Sequence, residues 1–244
     1  GILPFVTNLA KLDGPVAIIT DESVAPHYAQ SCGGVDAVIT VPPGRQYKTL
    51  ATAQSICEQL LEADFERSGT IIALGGTVIS ELAGFDAATC MSGVDCVQWP
   101  TSWLAMDETS IGGKTGVDLP QGKNLIGAFK QPKTVIADVA TLQSLSPRAF
   151  ASGMAEVIKH SLIADSDLLY KIETGNWIHA AGELHQQTSE LQPLVAQAIQ
   201  VKINIIQEDP YEQGRRAVLN FGHTFANAIE RLSNNQVSHG EAVS

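Results

Sequence analysis

Short β-branched runs alternate with helically spaced apolar residues through the first part of the chain, and this rhythm restricts the fold more than any other feature. Val16–Thr20, Ala37–Val41, Thr70–Leu74 and Cys96–Trp99 read as buried strands. Between them, Leu50, Ala53, Ile56, Cys57, Leu60 and Leu61 recur at helical spacing within Thr49–Phe65, and helix-like sequence runs from the Gly75-Gly76 turn through Ala88. Strand–helix–strand alternation predicts a largely parallel sheet with helices on both faces. From about Pro147 the strand signals stop. Helical patterns over Arg148–Ala164, Ser166–Ile172, Leu184–Glu208 and Ala217–Leu232 predict a second, all-helical domain. The expected division is an α/β domain over residues 1–145 and a helical domain over 146–244.

With 244 residues, 44% of them hydrophobic, the chain can bury a sizeable core. Its net charge of −11 argues against a nucleic-acid or anionic-membrane partner, which would demand a basic surface, yet leaves room for a local basic pocket around a small anion. Cys32, Cys57, Cys90 and Cys96 show no CxxC pairing and are expected to be free thiols in a reducing compartment. No apolar run reaches the ~18 residues of a membrane span. The opening Gly1–Val6 has no basic flank and no small-residue cleavage site, so no signal peptide is expected and the protein reads as cytoplasmic.

Four segments carry chemistry. Gly75-Gly76 ends a strand and opens a helix, where backbone N–H groups can approach a phosphate; in an α/β domain this favours a dinucleotide. Ser110-Ile111-Gly112-Gly113-Lys114-Thr115-Gly116 and Gln121-Gly122-Lys123-Asn124 read as a glycine-rich loop with two lysines and an asparagine, but without the spacing of a P-loop. Glu156 and Lys159 share a helical face with His160 in an apolar setting, where charges need partners. Arg216, Asn220, His223 and Asn227 recur at spacings that align them on one helical face, with His239 not far beyond. Two imidazoles and a carboxylate form the ligand set of a catalytic zinc with an open position, so His223, His239 and Glu156 are the candidate metal ligands.

Six ordered motifs give these segments a common meaning. They are Gly113-Lys114-Thr115-Gly116, Gly122–Phe129, Gln131-Pro132-Lys133, Ala155-Glu156-Val157-Ile158-Lys159, Leu219–Phe225 and His239–Val243. Together they resemble the 3-dehydroquinate synthase family of sugar-phosphate cyclases from about Thr20 to Ser244. The resemblance implies an NAD-binding α/β domain followed by a helical metal- and substrate-binding domain, with the active site between them. It implies Glu156, His223 and His239 as ligands of Zn2+, with Co2+ as an alternative ion. Around the substrate's carboxylate, hydroxyls and phosphate it implies Lys114, Lys123, Asn124, Lys159, Lys202, Arg216 and Asn220, with Glu108 standing at a substrate-site aspartate. Toward NAD it implies Asp21, Lys48, Gly75, Gly76, Glu81, Thr101 and Ser102. The implied reaction turns 3-deoxy-D-arabino-heptulosonate 7-phosphate into 3-dehydroquinate, in the second step of the shikimate pathway. It runs by transient oxidation by NAD, loss of phosphate, re-reduction, and an intramolecular aldol closure. A homodimer is the implied assembly.

Departures from the family pattern fall at the site itself. The turn usually written GGGVxGD is Gly75–Glu81 here, and PGE-x-x-K is Pro43-Gly44-Arg45-Gln46-Tyr47-Lys48. An arginine at 45, in place of an acid expected at the cofactor's ribose, favours a 2′-phosphate. Asp107-Glu108 replaces a valine–aspartate pair, and Asn227 replaces a second histidine with an amide that cannot titrate. The resemblance also implies that the helical domain is truncated at its C-terminus. Two other readings stay open: a related cyclase acting on another sugar phosphate, and a catalytically impaired homologue serving as a binding module.

Overall fold

The structure, a computed structural model, describes residues 12, 14–175, 177–234 and 236–244, without the side chains of 177–190. Gly1–Val6 therefore lie outside the described residues, as do the first side chains of the helix expected from Leu184. Contacts group the chain into two compact units, Gly1–Thr101 with Thr109–Asp138, and Ser102–Glu108 with Val139–Ser244.

The first unit is built on a parallel sheet. Its strands are β1 (Val16–Asp21), β2 (Ala37–Val41), β3 (Thr70–Gly75), β4 (Asp95–Pro100) and the short β7 (Thr134–Val135), in the order β2-β1-β3-β4-β7. β1 and β3 are central and apolar on both faces, as a covered parallel sheet requires. Alternate residues separate the two faces: Ala17, Ile19, Ile71 and Ala73 join one cluster, Ile18, Ile72, Leu74 and Trp99 the other. Each fully buried Ile or Leu contributes about 1.5–3 kcal/mol. Helices α1 (Leu50–Glu62) and α2 (Thr77–Thr89) both pack in the first cluster, through Ile56 and Leu60 and through Leu82 and Ala83. The second face is met by Ala29, Tyr28 and Ala25 of a short helical turn, so the expected helices on both faces are unequal in length.

Two expectations are corrected here. The glycine-rich stretch from Lys114 is no loop but an antiparallel hairpin, β5 (Lys114–Leu119) and β6 (Gly122–Phe129), with Thr115 facing Ala128 and Gly116 facing Gly127. β6 alternates without a buried face, and Leu125 and Phe129 are both exposed, so it lacks the hydrophobic signal of a core strand. The cysteines are not all free. Cys57 on α1 is joined to Cys90 beyond α2, while Cys32 and Cys96 are buried thiols.

The second unit is helical: α3 (Pro147–Ala164), α4 (Ser166–Thr174), α5 (Trp177–Glu208), α6 (His223–Leu232) and α7 (His239–Val243). Ser146 caps α3 by accepting from the Ala149 amide, and Asp165 caps α4 from Leu168. Segment Ser102–Glu108 belongs to this unit, with Trp103 edge-on to Phe150 of α3 at 4.7 Å between centroids. The continuous helix expected over Ala217–Leu232 is broken. Arg215–Asn220 form a 3-10 turn, and Gly222 at φ +81° starts α6 afresh. Arg216 and Asn220 thus do not share an α-helical face with His223. No helix among the described residues is long and apolar enough to cross a membrane.

Candidate functional site

Glu156 is fully buried on α3, and its Oε1 has no hydrogen-bond partner. The Nε2 atoms of His239 and His223 approach that oxygen at 3.3 and 3.8 Å. The two imidazoles pack edge to face with centroids 5.0 Å apart. Each ring is tied back through its other nitrogen. His223 Nδ1 donates to the Phe221 carbonyl at 3.2 Å, and His239 Nδ1 to Glu230 Oε1 at 3.3 Å. Such tethers select the tautomer that leaves Nε2 as a lone-pair donor. One ligand atom from each of the three residues lies within 4.8 Å of the others. An orphaned buried carboxylate oxygen facing two oriented imidazoles suits a tetrahedral divalent ion, so the donor set fits zinc or cobalt.

Several elements place these side chains. α7 docks on α3, where the Gly240 amide donates to Ser152 Oγ at 2.9 Å. A Cβ at 240 would lie 1.9 Å from the Ser152 carbonyl oxygen, so only glycine permits the approach that sets His239 beside Glu156. Ser238 and Glu241 form a capping box on α7, and Arg148 of α3 clasps Glu241 at 2.9 and 2.6 Å. Hydrogen bonding from Arg148, then from Ser238, lowers the Glu241 carboxyl to about 2.

The electrostatics ready two of the three ligands for a metal and protonate the third. Burial would raise Glu156, but His239 and Lys159 outweigh it and hold it below the usual carboxylate range. Burial and then Lys159 push His223 down, keeping it neutral. Burial would also lower His239, but the Glu156 and Glu230 carboxylates lift it to about 9. Without metal, His239 therefore carries a proton that an incoming ion must displace.

Around the triad runs a buried charge network. Lys159 donates to Glu156 Oε2 and lies 4.0 Å from Glu108 Oε2, while Lys202 donates to Glu108 at 2.8 Å. Burial would raise Glu108, but Lys202 and Lys159 hold it well below the usual range. His160 and Asp107, both fully buried, pair at 3.1 Å. Arg216 is buried and donates to the Pro210 carbonyl at 2.6 Å; Asn220 donates to Glu212 at 2.5 Å. Asn227 is exposed.

The remaining sequence candidates, Ser102 apart, lie in the first unit. Gly75 ends β3, Gly76 is the N-cap of α2, and the Thr101 amide donates to the Gly75 carbonyl at 2.9 Å. Asp21 closes β1 and accepts from the Ser23 and Val24 amides at 2.9 and 3.0 Å. Lys48 is fully buried and donates to Glu81 and to Asn124 Oδ1; Asn124 in turn donates to Glu81 at 2.8 Å. Asp118 completes this knot, 3.4 Å from Lys48 and 2.7 Å from Arg45. Arg45 is thus engaged by a carboxylate rather than presented to a 2′-phosphate. Lys114 and Lys123 open β5 and follow the first residue of β6, and Ser102 falls in the second unit, accepting from the Ala105 amide.

Sequence reasoning missed Glu230, Asp118 and the role of Arg148. Glu230 was findable, since it lies seven residues after His223 on the same helical face. Asp118 gives no sequence signal, because it sits on a hairpin whose second strand has no buried face.

Family models described as 3-dehydroquinate synthase N-terminal and C-terminal match residues 38–152 and 153–244. The 3-dehydroquinate synthase of Symbiobacterium thermophilum is 43% identical over 233 residues, covering 93% of this chain and 64% of that protein. That of Syntrophotalea carbinolica is 44% identical, covering 99% and 68%. The chain therefore spans just under two thirds of the Symbiobacterium protein's length. Among solved structures, a 2-deoxy-scyllo-inosose synthase complexed with carbaglucose-6-phosphate, NAD+ and Co2+ superposes with a TM-score of 0.88 at 27% identity, covering 99% of this chain and 68% of that one.

Proposed function

The chain belongs to the 3-dehydroquinate synthase family, and we propose that it carries out, or supplies the cofactor and metal units for, conversion of 3-deoxy-D-arabino-heptulosonate 7-phosphate to 3-dehydroquinate and phosphate. The carrying observation is the orphaned Glu156 Oε1 facing the His223 and His239 Nε2 atoms. A bound divalent ion would acidify a substrate hydroxyl there. NAD, held by the first unit, would take up a hydride and give it back. Relatives support both cofactors: the 2-deoxy-scyllo-inosose synthase structure holds NAD+ and Co2+.

The other roles fall to the chain's own residues. Glu156, His223 and His239 hold the ion, and Glu230 orients His239 toward it. Lys159, Lys202 and Arg216 are buried cations of the second unit suited to the substrate's phosphate, carboxylate and hydroxyls, with Glu108 and Asn220 as polar partners. Lys114, Lys123 and Asn124 on the hairpin complete the substrate set. Asp21, Lys48, Gly75, Gly76, Glu81, Thr101 and Ser102 are assigned to NAD, the glycines by bringing backbone to its pyrophosphate at the start of α2. Engagement of Arg45 by Asp118 favours NAD over its 2′-phosphorylated form. A cytoplasmic homodimer is the assembly that fits this reading.

Phosphate release tests the assignment. The heptulosonate phosphate should be turned over in preference to sedoheptulose 7-phosphate and glucose 6-phosphate, which lack its carboxylate. Preference for either of those two would assign the chain to another cyclase activity. The Symbiobacterium and Syntrophotalea relatives, at 43 and 44% identity, are 3-dehydroquinate synthases, whereas the inosose synthase stands at 27%, which favours the first outcome.

A further inference from the structure

We propose that Glu108, Glu156 and His160 form a second, weaker seat for a divalent cation, overlapping the first at Glu156. Each residue offers one ligand atom, and these atoms lie within 4.8 Å of one another. His160 supplies an independent sign. It is fully buried, its Nδ1 pairs with Asp107 Oδ1 at 3.1 Å, and its Nε2 has no hydrogen-bond partner. Because a carboxylate accepts, Nδ1 donates to Asp107, and in the neutral ring that bond selects the tautomer whose Nε2 carries a lone pair. A buried acceptor without a donor is costly, of the order of 1–3 kcal/mol, and calls for a ligand. Carboxylate, imidazole and open lone pair repeat the Glu230–His239 arrangement, which is how proteins orient metal-binding histidines.

Charge shows why this seat is the weaker one. The ammonium groups of Lys159 and Lys202 already face its carboxylates, through Glu156 Oε2 and Glu108 Oε2. They mark a place where positive charge is stabilised, and a metal ion entering it must displace or tolerate them. Glu108 is held ionised by the same lysines, so it is a ready ligand with no proton to lose. Oxygen and nitrogen donors without thiolate suit Zn2+, Co2+ or Mn2+. The seat shares Glu156 with the metal centre assigned above and rests on that reading for its neighbour, but not for its own ligands.

Cobalt titration of the intact chain, followed by equilibrium dialysis and visible absorption, separates the two. One tight equivalent reports the triad, and a second at higher cobalt reports the new seat. Lys159→Met removes a competing ammonium and should tighten the second equivalent at least tenfold. His160→Gln should abolish that equivalent while leaving the first. In a His223→Ala/His239→Ala variant, one weak equivalent should persist and vanish on adding His160→Gln. Should the double variant fail to fold by circular dichroism, the intact-chain titrations decide. A single equivalent at every cobalt concentration, with and without Lys159→Met, overturns the second seat. Loss of the tight equivalent alone would instead overturn the triad.

Discussion

Glu230 touches neither of the metal-facing Nε2 atoms, yet it decides what His239 presents. Its carboxylate receives the Nδ1 proton at 3.3 Å from within a buried environment. Glu230→Gln keeps the size and removes the charge, so cobalt affinity should fall about 10–100-fold, read by competitive titration. Unchanged affinity would mean that something else fixes the ring. The same histidine sets a pH dependence. Its value of about 9 lies above the ordinary 6.5, so the protonated ring stabilises the metal-free fold fully below pH 6.5, and that contribution is lost as pH rises through about 9. Metal competes with that proton. Affinity should therefore climb about tenfold per pH unit up to about 9 and then level, which titrations across the neutral to alkaline range would show. A flat profile would mean the proton is not on His239. At this scale the sequence is informative wherever chemistry is carried by residue type: the two histidines and Glu156 stand out by identity, Glu230 shows only by its spacing from His223, and Asp107, which acts through His160, announces nothing.

At the scale of elements, the helix carrying His223 misleads in an instructive way. Phe225, Ile229 and Leu232 recur at helical spacing, which normally marks a buried face, yet all three are exposed, Phe225 at 77% and Leu232 at 86%. The inward positions are instead Ala226 and Glu230. An exposed apolar stripe of this kind promotes association, so Phe225→Ser with Leu232→Ser should lower light scattering at high protein concentration without lowering cobalt stoichiometry. Scattering that stays the same would place the sticky surface elsewhere. α7 is positioned more strictly. In Gly240→Ala the added methyl would meet the Ser152 backbone at 1.9 Å, so α7 must lift from α3 and take His239 with it. Metal affinity should fall and the thermal midpoint with it, by overpacking worth about 1–3 kcal/mol or more. A variant that keeps both would show that the Arg148–Glu241 clasp alone seats the histidine. Periodicity found the strands and long helices because each buries a regular face. It missed the hairpin, whose β6 has no buried face, and the break at Gly222, which is a matter of one backbone angle.

At the scale of the whole molecule, two couplings are invisible to any reading by segments. Ser102–Glu108 leaves the first unit, joins the helical one, and brings Asp107 and Glu108 to α3, so the chain crosses between units more often than one boundary would suggest. Cys57 and Cys90 are bonded across 33 positions, between α1 and the end of α2, although nothing in their spacing pairs them; only the packing of both helices in one cluster brings them together. Cross-linking a loop of that length removes freedom mainly from the unfolded chain, and its loss should cost about 2–4 kcal/mol. Hydrogen exchange locates the effect. Reduction should speed exchange in peptides spanning α1 and the end of α2, while peptides spanning α3, α6 and α7, where the metal ligands sit, keep their protection. The reduced protein should still bind one tight equivalent of cobalt. Faster exchange spreading into α3, α6 and α7 would mean that the bond supports the metal centre as well as its own unit.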